Sequence, residues 1–255
     1  MTVRRIVKTR PGGSGYRLMV DKLVVREGDR IALVGQSGSG KSTLLDMMAM
    51  VLKPDRLGRG GEFTWNLDGV TLDVWNSWKR GGASAREKIR RSHLGYVLQS
   101  GGLFPFLNLR DNILLSAWLK KNPKGRRAES ALMELAAKLN IGHLLRKLPG
   151  NVSVGERQRA AVARAIIHRP KLILADEPTA SLDPPTAEKV MELLIELSEG
   201  TALVMSTHDE VRARKFGFEI HRIVVEDEGP RRGIKAMLFK DSRLPGKMPA
   251  NIRNR

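Results

Sequence analysis

Apolar residues along the chain recur with two periods. Short runs rich in β-branched or aromatic residues at 3–7 (VRRIV), 17–25 (RLMVDKLVV) and 62–67 (EFTWNL) predict strands. Arg30–Val34 (RIALV), Leu94–Leu98 (LGYVL), Leu172–Ala175 (LILA) and Ala202–Met205 (ALVM) are continuous apolar runs, the pattern of strands buried on both faces. Helical spacing begins near Lys41, with Leu44, Leu45, Met47, Met48 and Val51 apolar. It returns within 107–147, broken at Asn122-Pro123 and Lys124-Gly125, with a helix at about 126–139. From Ser153 a helix carries Ala160, Val162, Ala163, Ile166 and Ile167, and His168-Arg169-Pro170 stops it. Another spans about 185–198, and 220–225 with 233–239 predict a terminal hairpin. The stretch 76–92 is polar and basic and predicts a surface loop leading into a short helix. Strands alternating with helices predict an α/β fold with a largely parallel sheet covered on both faces.

Composition narrows the class. The 255 residues suffice for one large domain. With 41% hydrophobic and 28% charged residues the chain is globular. No apolar run nears the roughly 20 residues that span a bilayer. The basic start MTVRRIVKTR has no apolar stretch, so no secretory leader is expected. Without cysteine there are no disulfides and no cysteine-held zinc. Lys and Arg number 45 against 27 acidic residues, a net charge of +18 that suits an anionic partner: nucleic acid, lipid headgroups or a nucleotide.

Two segments carry chemistry. Gly35-Gln36-Ser37-Gly38-Ser39-Gly40-Lys41-Ser42 fits G-x-x-x-x-G-K-[ST] between a strand and a helix. Its glycines let backbone N–H groups turn towards phosphate oxygens, and the following helix adds its positive end. Lys41 suits the β- and γ-phosphates, and the Ser42 hydroxyl suits Mg²⁺. The apolar strand 172–175 ends in Asp176-Glu177. Neighbours on an extended strand point to opposite sides, so Asp176 faces Mg²⁺ while Glu177 faces an attacking water as general base.

With these residues in this order the chain resembles the ATP-binding-cassette (ABC) ATPases over roughly 14–225. The resemblance identifies 35–42 as the Walker A loop, 172–176 as the Walker B strand, Gln99 as the Q-loop glutamine, Ser181-Leu182-Asp183 as the D-loop and His208 as the switch histidine. Val152-Ser153-Val154-Gly155-Glu156-Arg157-Gln158 stands at the family signature, with Val154 replacing its first glycine; Ser153-x-x-Glu156 is also a capping box. The resemblance implies a P-loop NTPase core with a mostly parallel sheet, an antiparallel β subdomain and an α-helical signature subdomain. It places one ATPase domain over 1–240, its helical part at about 100–160, followed by a basic tail at 241–255.

It further implies ATP and Mg²⁺ as ligands, with Gly35, Ser37, Gly38, Gly40, Lys41, Ser42 and Thr43 on the phosphates, and Ser42, Gln99 and Asp176 at the metal. Ser153, Gly155 and Glu156 would approach the nucleotide from a second chain, in a head-to-tail homodimer or heterodimer. Tyr16 is the candidate to stack on adenine, with packing against the next strand as its alternative role. Leu103, Phe104, Phe106 and Leu107 form an apolar cluster that is either core or a surface for a membrane permease. The basic run before Gly95-Tyr96-Val97-Leu98-Gln99, with Glu156-Arg157-Gln158-Arg159, is similar to the lipoprotein-release, macrolide-export and cell-division subgroup.

The implied function is the ATP-hydrolysing subunit of an exporter or extractor. Its permease would be a separate chain, and it would lie against the anionic cytoplasmic face of the inner membrane. The alternatives are a regulatory ATPase whose membrane partner moves nothing, a soluble ABC ATPase acting on nucleic acid, disfavoured by the single cassette, and a kinase or GTPase sharing the phosphate loop.

Overall fold

The structure, a computed structural model, describes residues 1–10, 15–79, 82–120, 126–229 and 233–241. Among the described residues ten strands form one sheet in the order β5-β4-β1-β2-β10-β9-β3-β8-β7-β6. They are β1 Thr2–Thr9, β2 Arg17–Val24, β3 Arg30–Val34, β4 Arg56–Leu67, β5 Val70–Asp73, β6 Leu94–Val97, β7 Leu172–Asp176, β8 Ala202–Thr207, β9 Glu219–Asp227 and β10 Ile234–Lys240. The helices are α1 Lys41–Met48, α2 Val74–Lys79, α3 Ala83–His93, α4 Leu109–Leu119, α5 Arg126–Lys138, α6 Val154–Ile166, α7 Pro184–Leu197 and α8 Glu210–Lys215. Strands β9, β3, β8, β7 and β6 pair in parallel, while β5-β4-β1-β2 and the β9–β10 hairpin are antiparallel. The sheet is thus parallel where the long apolar runs lie and antiparallel across β5-β4-β1-β2 and β9–β10, with β10 joined in parallel to β2.

Alternation along the central strands divides the interior in two. Ile173 and Ala175 of β7, with Leu203 and Met205 of β8, enter a core shared with α4, α5, α6 and α7. Leu172, Leu174 and Val204 point the other way, to Leu44, Leu45, Met47 and Met48 of α1 and to Val3, Leu18, Phe63 and Trp65. Because both faces are covered, β7 and β8 are buried throughout.

The register puts four strand ends on one line. Val34 pairs with Thr207, Asp176 with Ser206, and Val97 with Ala175. Everything that follows these strands therefore emerges at the same carboxyl edge, where α/β sheets carry their ligands.

Several elements depart from the sequence expectation. The stretch 76–92 belongs largely to α2 and α3. Trp75 and Trp78 pack on the second core, and the Arg86 guanidinium lies 3.8 Å above the Trp78 ring while donating to Ser77 O. Two tryptophans give that basic segment the apolar face it lacks by count. Strand β4 starts at Arg56, ahead of the expected Glu62, and bulges opposite Arg5 of β1, where Gly58 and Gly61 come so close to Arg5 and Arg4 that a Cβ would not fit easily. Helix α1 ends at Met48, and Val51 lies beyond it, exposed. The predicted helix breaks at 122–125 and the tail at 242–255 fall outside the described residues.

His168, just after α6, is 6% exposed and joins that helix to β6 by a 3.0 Å hydrogen bond between Nε2 and Leu94 O. Burial lowers its pKa from 6.5 to about 4. The unfolded ring takes up a proton below about pH 6.5, the folded ring only near 4, so unfolding binds a proton across that window. Stability supplied by this histidine is present above pH 6.5 and declines as the pH falls towards 4, by about 2 kcal/mol at pH 5. Urea unfolding at pH 7 and pH 5 is expected to show this loss, and H168Q is expected to remove most of it.

Candidate functional site

The loop between β3 and α1 turns on its glycines. Gly38 and Gly40 have φ of 78° and 98°, and Gly40 caps α1. A Cβ on Gly35 would lie 2.7 Å from Ser39 Oγ and 2.9 Å from Ile223 O, and one on Gly40 would lie 2.7 Å from the Tyr16 hydroxyl. The loop is therefore drawn against β9 and β2, with no room for a side chain at Gly35 or Gly40. Ser37 and Gly38 form its exposed tip, and Thr43 is half-buried one position after Ser42. Lys41 folds back under the loop, 5% exposed, and its Nζ donates to Gly35 O at 2.8 Å and Gln36 O at 3.1 Å.

The carboxylates meet this loop from β7. Ser42 Oγ donates to Asp176 Oδ1 at 3.0 Å, and Ser206 Oγ of β8 donates to the same oxygen at 2.5 Å. Glu177 Oε1 lies 3.4 Å from Lys41 Nζ, and its Oε2 lies 3.7 Å from His208 Nδ1. Its backbone N–H donates to Ser206 Oγ at 2.9 Å. The strand stops at Asp176, and Glu177 has φ 43°. The expectation that strand alternation separates the two carboxylates is thus corrected: a left-handed turn sets the direction of Glu177. Such a backbone costs on the order of 1–3 kcal/mol in a non-glycine residue and persists where the surroundings hold it. Here Ser206 holds it.

Two further residues were not singled out from sequence. Ser206 bridges both carboxylate positions, and its only signal was its place at the end of an apolar strand just before His208. Asp46 lies one helical turn after Ser42, accepts from the Tyr96 hydroxyl at 2.9 Å, and has its pKa raised by burial and by the nearby Asp176. The i, i+4 spacing from Ser42 was the legible clue.

Other predicted residues lie apart from this cluster. Gln99 is exposed in the turn after β6, at the same edge, and makes no hydrogen bond among the described residues. Ser153 caps α6: Glu156 N–H donates to Ser153 Oγ at 3.3 Å and Ser153 N–H to Glu156 Oε2 at 2.7 Å. These bonds close within α6 and do not reach the loop 35–42. Val154 occupies the first helical turn, 43% exposed, in ordinary right-handed conformation, so the backbone there does not demand glycine. Gly155 does answer a demand, since a Cβ would come 2.8 Å from Thr186 Cγ2 of α7. Tyr16 is corrected. It is 5% exposed, its hydroxyl donates to Ser39 O, and the Arg10 guanidinium sits 4.8 Å from its ring centre. The ring braces the phosphate loop from within the core and offers no open face for a base.

The donor chemistry fits a Mg²⁺-nucleotide. Ser39 Oγ is buried without a protein partner beside the glycine turn. Ser42 and Asp176 bring two hard oxygens together, as Mg²⁺ prefers. A compact ammonium, a partly buried carboxylate and an imidazole stand within 4 Å of one another in sequence Lys41, Glu177, His208. That set can neutralise a polyphosphate and orient a water.

Comparison with known proteins agrees. The profile of the ABC transporter family matches residues 19–180. The lipoprotein-releasing system ATP-binding protein LolD of Hydrogenovibrio crunogenus is 38% identical over 193 residues, covering 75% of this chain and 78% of that one. The uncharacterized ABC transporter ATP-binding protein YbbA of Escherichia coli K12 is 42% identical over 192 residues, covering 74% and 78%. Among solved structures, the dimeric post-hydrolysis state of the ATP-binding cassette MJ0796 bound to ADP and Pi superposes with a TM-score of 0.70 at 31% identity, over 87% of this chain and 94% of that one. A second dimeric structure of the same cassette gives 0.71 at 30% identity.

Proposed function

The chain belongs to the ABC transporter family and is one of its ATP-binding, ATP-hydrolysing subunits, and on that premise we propose that two chains close head-to-tail over two ATP molecules to drive a separate membrane permease in export or extraction. The observation that carries this reading is the convergence of Lys41, Ser42, Asp176, Glu177 and His208 at one sheet edge. Residues 1–240 act as one ATPase unit, with 100–160 as its helical part and 241–255 as a basic tail.

The geometry supports a role for each residue in this reading. Gly35, Ser37, Gly38, Gly40, Ser42 and Thr43 receive the phosphates on backbone N–H groups and the α1 terminus. Lys41 already hangs from two loop carbonyls, so its ammonium needs only a small swing to reach the β- and γ-phosphates. Mg²⁺, held by Ser42 and Asp176 with Gln99, would neutralise charge on the transferring phosphoryl group. Glu177 orients the attacking water and takes its proton, and His208 beside it adds charge stabilisation. Ser153, Gly155 and Glu156 of the second chain meet the γ-phosphate through a capped helix end. The dimeric cassettes of known structure support that assembly, and closure over ATP is a two-state change driven by contacts that only the closed form makes.

The exposed pair Phe104 and Phe106, 42% and 74% accessible with ring centres 5.6 Å apart, supports docking of a permease helix just after Gln99. Among the described residues no helix is long and apolar enough to cross a membrane. The relatives named for lipoprotein release favour an exporting or extracting partner, and the +18 charge favours the anionic cytoplasmic face of the inner membrane.

The chain captured from detergent-solubilised membranes is expected to bring a polytopic permease with it. F104D/F106D is expected to lose that partner while still binding ATP. Recovery of nucleic acid or soluble proteins alone would overturn the assignment to a membrane complex.

A further inference from the structure

The loop joining β6 to α4 is fastened from two sides. From α6, Arg164 spreads its guanidinium across two consecutive main-chain carbonyls: Nη1 donates to Gly102 O at 2.7 Å and Nη2 to Gly101 O at 2.8 Å. Both glycines are left-handed, with φ of 74° and 58°, which is how successive carbonyls come to face one helix. A Cβ on Gly102 would lie 2.5 Å from Leu98 Cδ1, and Gly101 N–H donates to Leu98 O at 2.8 Å, so 98–102 is a tight turn with Gln99 and Ser100 at its exposed tip. Gln158, on the same helix and 3% exposed, lies under this turn: its Oε1 and the Ala161 Cβ would each be 3.6 Å from a Cβ on Gly101.

From α4, Asn112 is wholly buried. Its Oδ1 accepts from Phe104 N at 2.7 Å, and its Nδ2 donates to Phe104 O at 3.0 Å and Leu107 O at 2.8 Å. Gln99 lies two residues before the carbonyls that Arg164 holds, and the exposed Phe104 and Phe106 lie at the stretch that Asn112 holds.

Arg164 is unusual in its chemistry. It is partly buried, burial lowers its pKa, and among the described residues no carboxylate pairs with it. A desolvated charge without a counter-ion is costly, and an apolar residue would fill the space more cheaply. What a guanidinium supplies that an aliphatic chain or an ammonium cannot is a flat fork with two parallel donors. That fork fixes both the position and the plane of the turn.

We propose that Arg164, backed by Asn112, is the positioning residue for Gln99, clamping the 98–106 loop to α6 and α4 so that Gln99 is held at the carboxyl edge of the sheet. The proposal rests on the reading of Gln99 as a ligand at the nucleotide site. Arg164 acts through the turn, its two guanidinium donors being taken up by Gly101 O and Gly102 O. Nucleotide binding, which the loop 35–42 governs, then stays largely independent of it, whereas the step that needs Gln99 in place does not.

The test is steady-state ATP hydrolysis by the purified full-length chain carrying R164Q, R164K or Q99A, with thermal unfolding measured alongside. R164Q is expected to lower kcat about tenfold with KM for ATP changed less than about threefold, as misplacing a distant positioning group does. R164K, with one donor set in place of the fork, is expected to restore part of the rate at unchanged melting temperature. G102A, which attacks the turn from its other side, is expected to combine with R164Q less than additively. Should R164Q not fold, R164K alone decides. Full turnover in R164K and R164Q with a defective Q99A would refute the clamp. Full turnover in Q99A would refute the role of Gln99, and the clamp with it.

Discussion

Replacing Glu177 by Gln is expected to lower ATP hydrolysis by about 10²- to 10⁴-fold, the range general-base catalysis contributes, while leaving ATP bound. The amide keeps the size of the carboxylate but cannot take a proton from water. The side chain sits between Lys41 Nζ at 3.4 Å and His208 Nδ1 at 3.7 Å, so the substitution also removes the negative charge that the ammonium and the imidazole face. Neither effect touches the carbonyls that hold Lys41 or the hydroxyl on Asp176. ATP should therefore enter, the two chains should close, and the closed state should persist. Size-exclusion chromatography with ATP is expected to show a dimer for the variant and mostly monomer for the parent chain. Parent-like turnover in the variant would remove Glu177 from the mechanism.

Replacing Lys41 by Ala is expected to act earlier in the cycle, weakening ATP binding about 100-fold, since it deletes charge-assisted hydrogen bonds to phosphate. The ammonium is held by Gly35 O and Gln36 O within a loop that admits no Cβ at Gly35. Arginine is therefore not expected to rescue it: the planar fork is larger than the space that fits a compact ammonium. Equilibrium binding of a fluorescent ATP analogue separates the two substitutions, with affinity kept in Glu177→Gln and lost in Lys41→Ala. Equal affinity in both would mean that Lys41 serves Glu177 alone.

The central strands, the phosphate loop and the order of the site residues were readable because each is a contiguous signal. RIALV before a glycine turn and LILA before two carboxylates are apolar runs that only a doubly covered strand explains. Residues whose roles depend on distant contacts were not readable. Tyr16 reads equally as an adenine stacker or a packed ring until its hydroxyl is seen on Ser39 O, and Arg86 reads as one more surface cation until it is seen over Trp78. Gly155 looks like a ligand-facing glycine, yet the methyl group of Thr186 on α7 is what excludes a side chain there. The direction of Glu177 was read from strand alternation, but a single left-handed residue overrides that rule. Long-range packing and isolated backbone turns leave no periodic trace in sequence.

Asp176 lies opposite Ser206, and Val34 opposite Thr207, only in one pairing of β3, β7 and β8. Sliding β7 by a single position would carry the aspartate to the far side of the sheet, away from Ser42, and turn Ile173 and Leu174 into each other's compartments. Nascent chains that mispair there would be both poorly packed and unable to split ATP. A copy misassembled in this way would lack the Ser42–Asp176 pair and so be inert as an ATPase.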